Sequence, residues 1–431
     1  MSNLLGHIII IITTSLYIFP FELKGLPSGL NTKIILAAIS IILLIFHLAK
    51  KDRGSIDRGI LSITGFAVIV SLIALISIVF NDTYDYVYVN YVISIWVWLG
   101  ASYTVICLIK TIRNDITIEI VVAYLVAVCI CQCIVAIIID NYPTFKYLIN
   151  SFVTQGKAEN VHRLYGIGAS LDTAGTRFSA ALVMISYVLC RNGLSMSKFK
   201  RILWILSYLV ISVIGNMVAR TTTVGLVLSL VYMVALTFKS NMTVTPEMKR
   251  IWPIFFMILI VLLPIVIYCF NNIPSVNHYI RFAFEAFFNL GINGRLETDS
   301  TTKLITTMYV FPDNLKTWII GDGYFDRIIS TDPYYTGPED IHSFYKGTDI
   351  GYLRFIFYFG IIGMLAMSSF IYKAAQICWI KCKEYKPMLI MLLLTNYIIW
   401  LKIATDLFPI FALAIWVGVM QNNVIKSHNS Y

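Results

Sequence analysis

Apolar runs the length of a helical membrane crossing recur along this chain, at about 4–20, 32–49, 59–80, 88–109, 116–139, 176–190, 202–218, 221–238, 251–270, 350–372, 387–401 and 404–420. About 20 residues rising 1.5 Å each span roughly 30 Å of hydrocarbon, where every backbone polar group must be satisfied within its own helix. The pattern predicts an all-α polytopic membrane protein with about twelve transmembrane helices. Composition agrees, at 58% hydrophobic and 13% charged, far from the average of about 25% charged in soluble domains. The segment after Met1 has no basic leader and reads as the first span. The pairs of runs that meet at Arg220 and at Lys402 read either as broken helices or as tight hairpins.

Charge placement gives the expected orientation. Of the 33 lysines and arginines, 18 fall in one set of short loops and the tail, against Lys24, Lys33, Arg220 and Lys402 in the short loops opposite. Short loops rich in Lys and Arg stay in the cytoplasm and long loops are largely exempt. Both termini are therefore expected inside, with the long segments at about 140–175 and 271–349 outside. The organisation expected is 1–270 as spans one to nine with the first outer loop, 271–349 as a large outer loop, and 350–431 as spans ten to twelve and a cytoplasmic tail. In the large loop, 276–290 has the spacing of an amphipathic helix with an Arg281–Glu285 i,i+4 pair, and 298–311 reads as a helix capped by Thr298 or Asp299 and stopped by Pro312.

The net charge of +10 is dispersed rather than clustered, so it implies membrane topology and no nucleic-acid partner. The eight cysteines lie in or beside apolar runs, and CICQC at 129–133 lacks zinc-finger spacing; they read as small buried thiols. There is no GxxxxGK[ST] phosphate loop and no HExxH, so any reaction must carry its energy in the substrate.

What remains is a set of outer-side arginines and one histidine. An arginine fork matches phosphate oxygens and stays charged at any working pH. Arg220, in GNMVARTTTVGL between two apolar runs, reads as a phosphate clamp or a snorkelling helix end, and Arg177 in LDTAGTRFSAAL has the same two readings. His342 has acids at 339, 340 and 349 nearby and is the candidate general base. Asp349 either assists it or caps the helix that follows.

The order Gly294-Arg295, Trp318, Gly321-Asp322-Gly323, His342-Ser343, Gly360 and Gly363 resembles the pattern of the O-antigen ligase and polymerase superfamily. TDIGYLRFIFYFGIIG (348–363) is similar to the SDIGY-like run of the O-antigen polymerases (Wzy type), and ARTTTVGL is similar to the family's SR-small-small helix start. Two spacings depart from the polymerases' Arg-x10-Gly pattern: eleven residues separate Arg163 from Gly175, and nine separate Arg327 from Gly337. The resemblance implies a C-type glycosyltransferase-like fold with a large helical periplasmic loop, in the inner membrane of a Gram-negative bacterium. It implies polymerisation of undecaprenyl-diphosphate-linked repeat units at the periplasmic face, with no metal, nucleotide or other cofactor, and a chain-length-regulating co-polymerase as partner. In that scheme His342, Arg295 and Asp349 are catalytic, while Arg220, Arg163, Arg177 and Arg354 bind substrate. The alternatives are a ligase that moves the polysaccharide to lipid A core and, in another class, a flippase for lipid-linked oligosaccharides.

Overall fold

The computed structural model describes residues 2–27, 29–49, 57–113, 115–154, 163–238, 245–325 and 344–428. Almost all of them are helical. In chain order the helices are α1 (Ser2–Ile18), α2 (Thr32–Ala49), α3 (Arg58–Asn81), α4 (Tyr91–Ile112), α5 (Ile118–Asn141) and α6 (Pro143–Phe152). Then come α7 (Leu171–Asn192), α8 (Lys198–Val218), α9 (Thr222–Thr237), α10 (Pro246–Asn272), α11 (Pro274–Ala283) and α12 (Glu285–Asn293). The last are α13 (Asp299–Lys303), α14 (Leu315–Ile319), α15 (Gly351–Lys381), α16 (Lys386–Ile399) and α17 (Phe408–His428). One two-residue antiparallel pair, β1 (Glu22–Leu23) with β2 (Val153–Thr154), is the only sheet among the described residues.

Each of the twelve apolar runs is a helix. Seven of these, α3, α4, α5, α7, α8, α10 and α15, are long and apolar enough to cross a membrane, and α1, α2, α9 and α17 hold shorter apolar stretches. Their starts follow ordinary capping chemistry: Asp57, Thr117 and Ser197 accept backbone N–H groups at the heads of α3, α5 and α8, and Pro143, Pro246 and Pro274 open α6, α10 and α11. All eight cysteines are free thiols.

The chain forms two compact units, residues 1–32 with 108–297, and 33–107 with 298–431. Residues 271–297 belong to the first unit and 298–349 to the second.

In the first unit α7 is the centre, packed by α5, α8, α9 and α10. Its most apolar window is 94% buried, whereas that of α10 is only 6% buried. Small and hydroxylated side chains make the central place possible, because they let backbones approach. At Gly225 of α9 an added Cβ would stand 2.3 Å from the Cα of Ser179. Ser179 Oγ there donates to the Thr221 carbonyl (2.8 Å) and accepts from the Gly225 N–H (3.1 Å). α10 has aliphatic side chains around most of its circumference and two internal prolines, Pro253 and Pro264, and leaves nearly all of it uncovered.

In the second unit α15 has the equivalent place, flanked by α3, α14, α16 and α17. It is kinked at Phe359 (φ −140°, ψ 22°) and Gly360 (φ 70°, ψ −175°). The kink releases carbonyls from the helical ladder, and Gly321-Asp322-Gly323 takes them. Asp322 N–H donates to the Phe357 carbonyl (2.6 Å) and Gly323 N–H to that of Tyr358 (3.0 Å). Only glycine permits the approach, since a Cβ on Gly360 would lie 2.0 Å from the Ile319 carbonyl oxygen. The two glycine motifs of the sequence are two halves of one backbone joint.

Candidate functional site

The site grows from the turn at Arg220. α8 stops because Ala219 adopts an extended backbone (φ −155°, ψ 125°), and α9 begins three residues later. The threonines that follow serve as caps: Thr222 Oγ1 donates to the Gly215 carbonyl (3.0 Å) and Thr223 Oγ1 to Asn216 Oδ1 (2.7 Å). Both bonds pin the start of α9 to the last turn of α8, whose Gly215 carbonyl also accepts the Ala219 N–H (2.9 Å). The two helices run antiparallel, with Tyr208 and Ser229 hydroxyls 2.7 Å apart, so the turn is a tight hairpin and not a broken helix. Arg220 stands at its apex.

Around the apex two arginines meet one ring, with two carboxylates beside them. The Arg220 guanidinium pairs with the Glu285 carboxylate at the head of α12, and both side chains are largely covered, at 14% and 19% exposure. It also sits 4.4 Å from the centre of the Phe282 ring. Arg163, from the loop ahead of α7, sits 4.7 Å from the centre of the same ring. Asp172, in the first turn of α7, accepts from the Thr221 hydroxyl. Burial pulls the Arg163 pKa below its ordinary value and the neighbouring Arg220 lowers it further, while Asp172 opposes both. Two guanidiniums thus meet at one aromatic ring, one paired with Glu285 and the other within the electrostatic reach of Asp172. An anion with several oxygens, offered to this cluster, would replace the carboxylates as the acceptor of the same forks.

The approach of Glu285 depends on a break that the sequence pattern does not announce. The expected single helix over 276–290 divides at Phe284 (φ −116°, ψ 26°). The expected Arg281–Glu285 pair does not form, because Glu285 turns to Arg220. Arg281 donates instead to Asn277 Oδ1 (2.9 Å) and lies over Phe270 and Phe288. α11 is tied to the end of α5 by the Tyr279 hydroxyl, which donates to Asp140 Oδ1 at 2.5 Å; burial and that carboxylate raise the phenol pKa.

The remaining arginines part company. Arg177 is buried within α7, close enough to Cys129 of α5 to act on it electrostatically. Arg295 is exposed just beyond α12, after the left-handed cap Gly294 (φ 68°), and makes no hydrogen bond or ion pair with another described residue. Arg354, in the second unit, is 8% exposed. Its guanidinium carbon lies 3.7 Å from the ring centre of Phe325 and 3.8 Å from that of Phe344, and Nη2 donates to the Phe325 carbonyl (3.3 Å). Asp349 is half-buried and does not cap α15; the capping position belongs to Ile350, whose N–H is taken by Thr348 Oγ1 (3.3 Å). His342, with Arg327 and the acids at 339 and 340, lies outside the described residues.

Three members of the cluster had no individual signal in the sequence. Asp172, Phe282 and Thr221 reach it through packing between segments far apart in the chain, whereas the sequence marks Arg163 and Arg220 and pairs Glu285 with a different partner. Comparison of the chain with protein-family models, with curated proteins and with solved structures finds no match.

Proposed function

We propose that this chain is a membrane-embedded glycosyltransferase that polymerises undecaprenyl-diphosphate-linked O-antigen repeat units at the periplasmic face of the inner membrane. In this reading all twelve apolar helices span the bilayer, both termini are cytoplasmic, and 140–175 and 271–349 are periplasmic loops, in a fold of the C-type glycosyltransferase kind. The observation that carries it is the convergence of Arg163 and Arg220 on Phe282, with Asp172 and Glu285 as their partners. It joins the resemblance in TDIGY and ARTTT to a built place for a diphosphate.

The donor is the growing glycan on its lipid diphosphate, and the acceptor is one repeat unit on a second lipid. Arg220 exchanges Glu285 for diphosphate oxygens, Arg163 offers them a second fork, and Arg295 adds a further positive charge. The bond from the anomeric carbon to the diphosphate breaks and its electron pair leaves with undecaprenyl diphosphate. A sugar hydroxyl of the acceptor bonds to that carbon, inverting it, and gives its proton to His342, which Asp349 assists. Fixed donors aimed at the leaving oxygens lower such a barrier by several kcal/mol. A co-polymerase would set chain length.

The test is deletion of the gene followed by gel analysis of the lipopolysaccharide. Loss of polymerisation leaves core bearing a single repeat unit. Bare core would identify a ligase instead, and unchanged long chains would exclude both transferases.

A further inference from the structure

The second unit contains a cavity of about 490 Å³, bordered by Asn81 and Thr83 at the end of α3, by 310–317, and by Asp322, Tyr345 and Lys346. The arginine cluster is no part of it. We propose that this cavity is a saccharide subsite that holds one sugar residue of the glycan, an assignment that rests on the polymerase reading.

A rigid polar floor is the first argument. Asp322 Oδ1 accepts from Lys316 Nζ (2.6 Å) and from the Thr317 hydroxyl (2.6 Å), and Oδ2 accepts from the Tyr345 hydroxyl (3.1 Å). Lys316 is in turn fixed by Asn81 Oδ1 (2.8 Å). The carboxylate thus cannot rotate, and Oδ2 keeps acceptor capacity beyond its one bond. Tyr345 is itself 3% exposed, and the glycine joint on the kink of α15 anchors Asp322 from behind.

The second argument is the mixture of signs. Asp313 shares only one oxygen, with its neighbour Asn314 (2.9 Å), and its side chain is exposed. The ammonium of Lys346 lies 5.5 Å from the Tyr345 ring centre and makes no hydrogen bond to another described residue. The cavity therefore offers both acceptors and donors. A phosphate has only acceptor oxygens and would meet Asp313 and Asp322 unfavourably, whereas a sugar hydroxyl donates and accepts at once. The third argument is aromatic. Phe311 lines the cavity at 60% exposure and lies over Trp318 with an interplanar angle of 14° and centres 6.3 Å apart. Trp318 is held by its own N–H to the Pro312 carbonyl (2.9 Å). A supported, exposed ring beside fixed polar groups is what the apolar C–H face and the hydroxyl edge of a pyranose require together.

The experiment uses the full-length protein in detergent and, as probe, the oligosaccharide released by mild acid from the surface polysaccharide of the producing cell. Saturation-transfer NMR is expected to show magnetisation passing from aromatic protons to the sugar ring. Phe311→Ala and Lys346→Ala, both on exposed or half-exposed side chains, are expected to weaken binding about tenfold with unchanged melting temperature. Absence of transfer in the wild type, or binding by both variants as tight as that of the wild type, overturns the subsite. Chain extension in a strain whose protein shows no such binding would overturn the subsite alone. Binding at the cavity in a protein whose deletion leaves long chains intact would overturn the polymerase reading and spare the subsite.

Discussion

Arg220 and Arg354 look alike in the sequence, each a lone arginine at the end of an apolar run, yet the protein surrounds them in opposite ways. Arg220 stands at a hairpin apex, paired with a carboxylate and laid against one phenylalanine. Arg354 lies between two phenylalanine rings and donates to a backbone carbonyl. A carboxylate partner is exchangeable, because an incoming phosphate presents the same oxygen geometry to the same fork. Rings and a main-chain carbonyl have no such substitute. The comparison teaches that partner chemistry, more than position or burial, separates an arginine fit to bind an anion from one that ties segments together.

The comparison breaks most visibly at Arg220. Arg220→Ala should cut chain extension at least a hundredfold, the scale seen when one transition-state donor is removed. The protein should still accumulate in the membrane. Next comes Arg354→Ala, where the expected loss is structural: lower accumulation and a lower melting temperature, from about 2–4 kcal/mol of ring and carbonyl contacts. Should Arg354→Ala melt like the wild type and yet abolish transfer, the division between the two arginines fails.

Glu285→Gln sharpens the competition argument. With the competing charge removed from Arg220, KM for the lipid-linked donor should fall by about two- to fivefold, roughly 0.4–1 kcal/mol, as measured by initial rates over donor concentration. A rise in KM would mean that Glu285 positions the guanidinium instead of competing with substrate. The smallest effect expected is that of Phe282→Leu, which removes the ring facing both Arg163 and Arg220 while keeping an apolar side chain. Cation–π contacts at partly exposed sites are worth about 0.5–1 kcal/mol each, so transfer should slow by only a few-fold.

What the sequence disclosed was local. Apolar runs of span length became helices because satisfying the backbone inside a helix needs no distant partner. The same holds for Thr298, whose capping box with Thr301 forms at the head of α13, although the helical stretch ends at Met308 and not at Pro312. The chain left its non-local pairings unannounced. Arg281 and Glu285 have ideal spacing for a pair, but the break at Phe284 depends on what α11 and α12 meet, not on their own residues. Gly321-Asp322-Gly323, a weak nucleotide motif by itself, gains its meaning only against the kinked carbonyls of α15. For the site, the sequence singled out Arg220 through charge in an apolar setting, and Arg163 only through the resemblance. It could not show that they share one ring, or that Asp172 belongs with them.

The central claim is best tested by reconstitution. The purified protein, placed in liposomes with undecaprenyl-diphosphate-linked repeat units and no nucleotide, should yield a ladder of longer glycans and release undecaprenyl diphosphate; Arg220→Ala, equally folded by melting temperature, should yield none. Repeat units left single by the folded wild-type protein, or a full ladder from Arg220→Ala, would contradict the account.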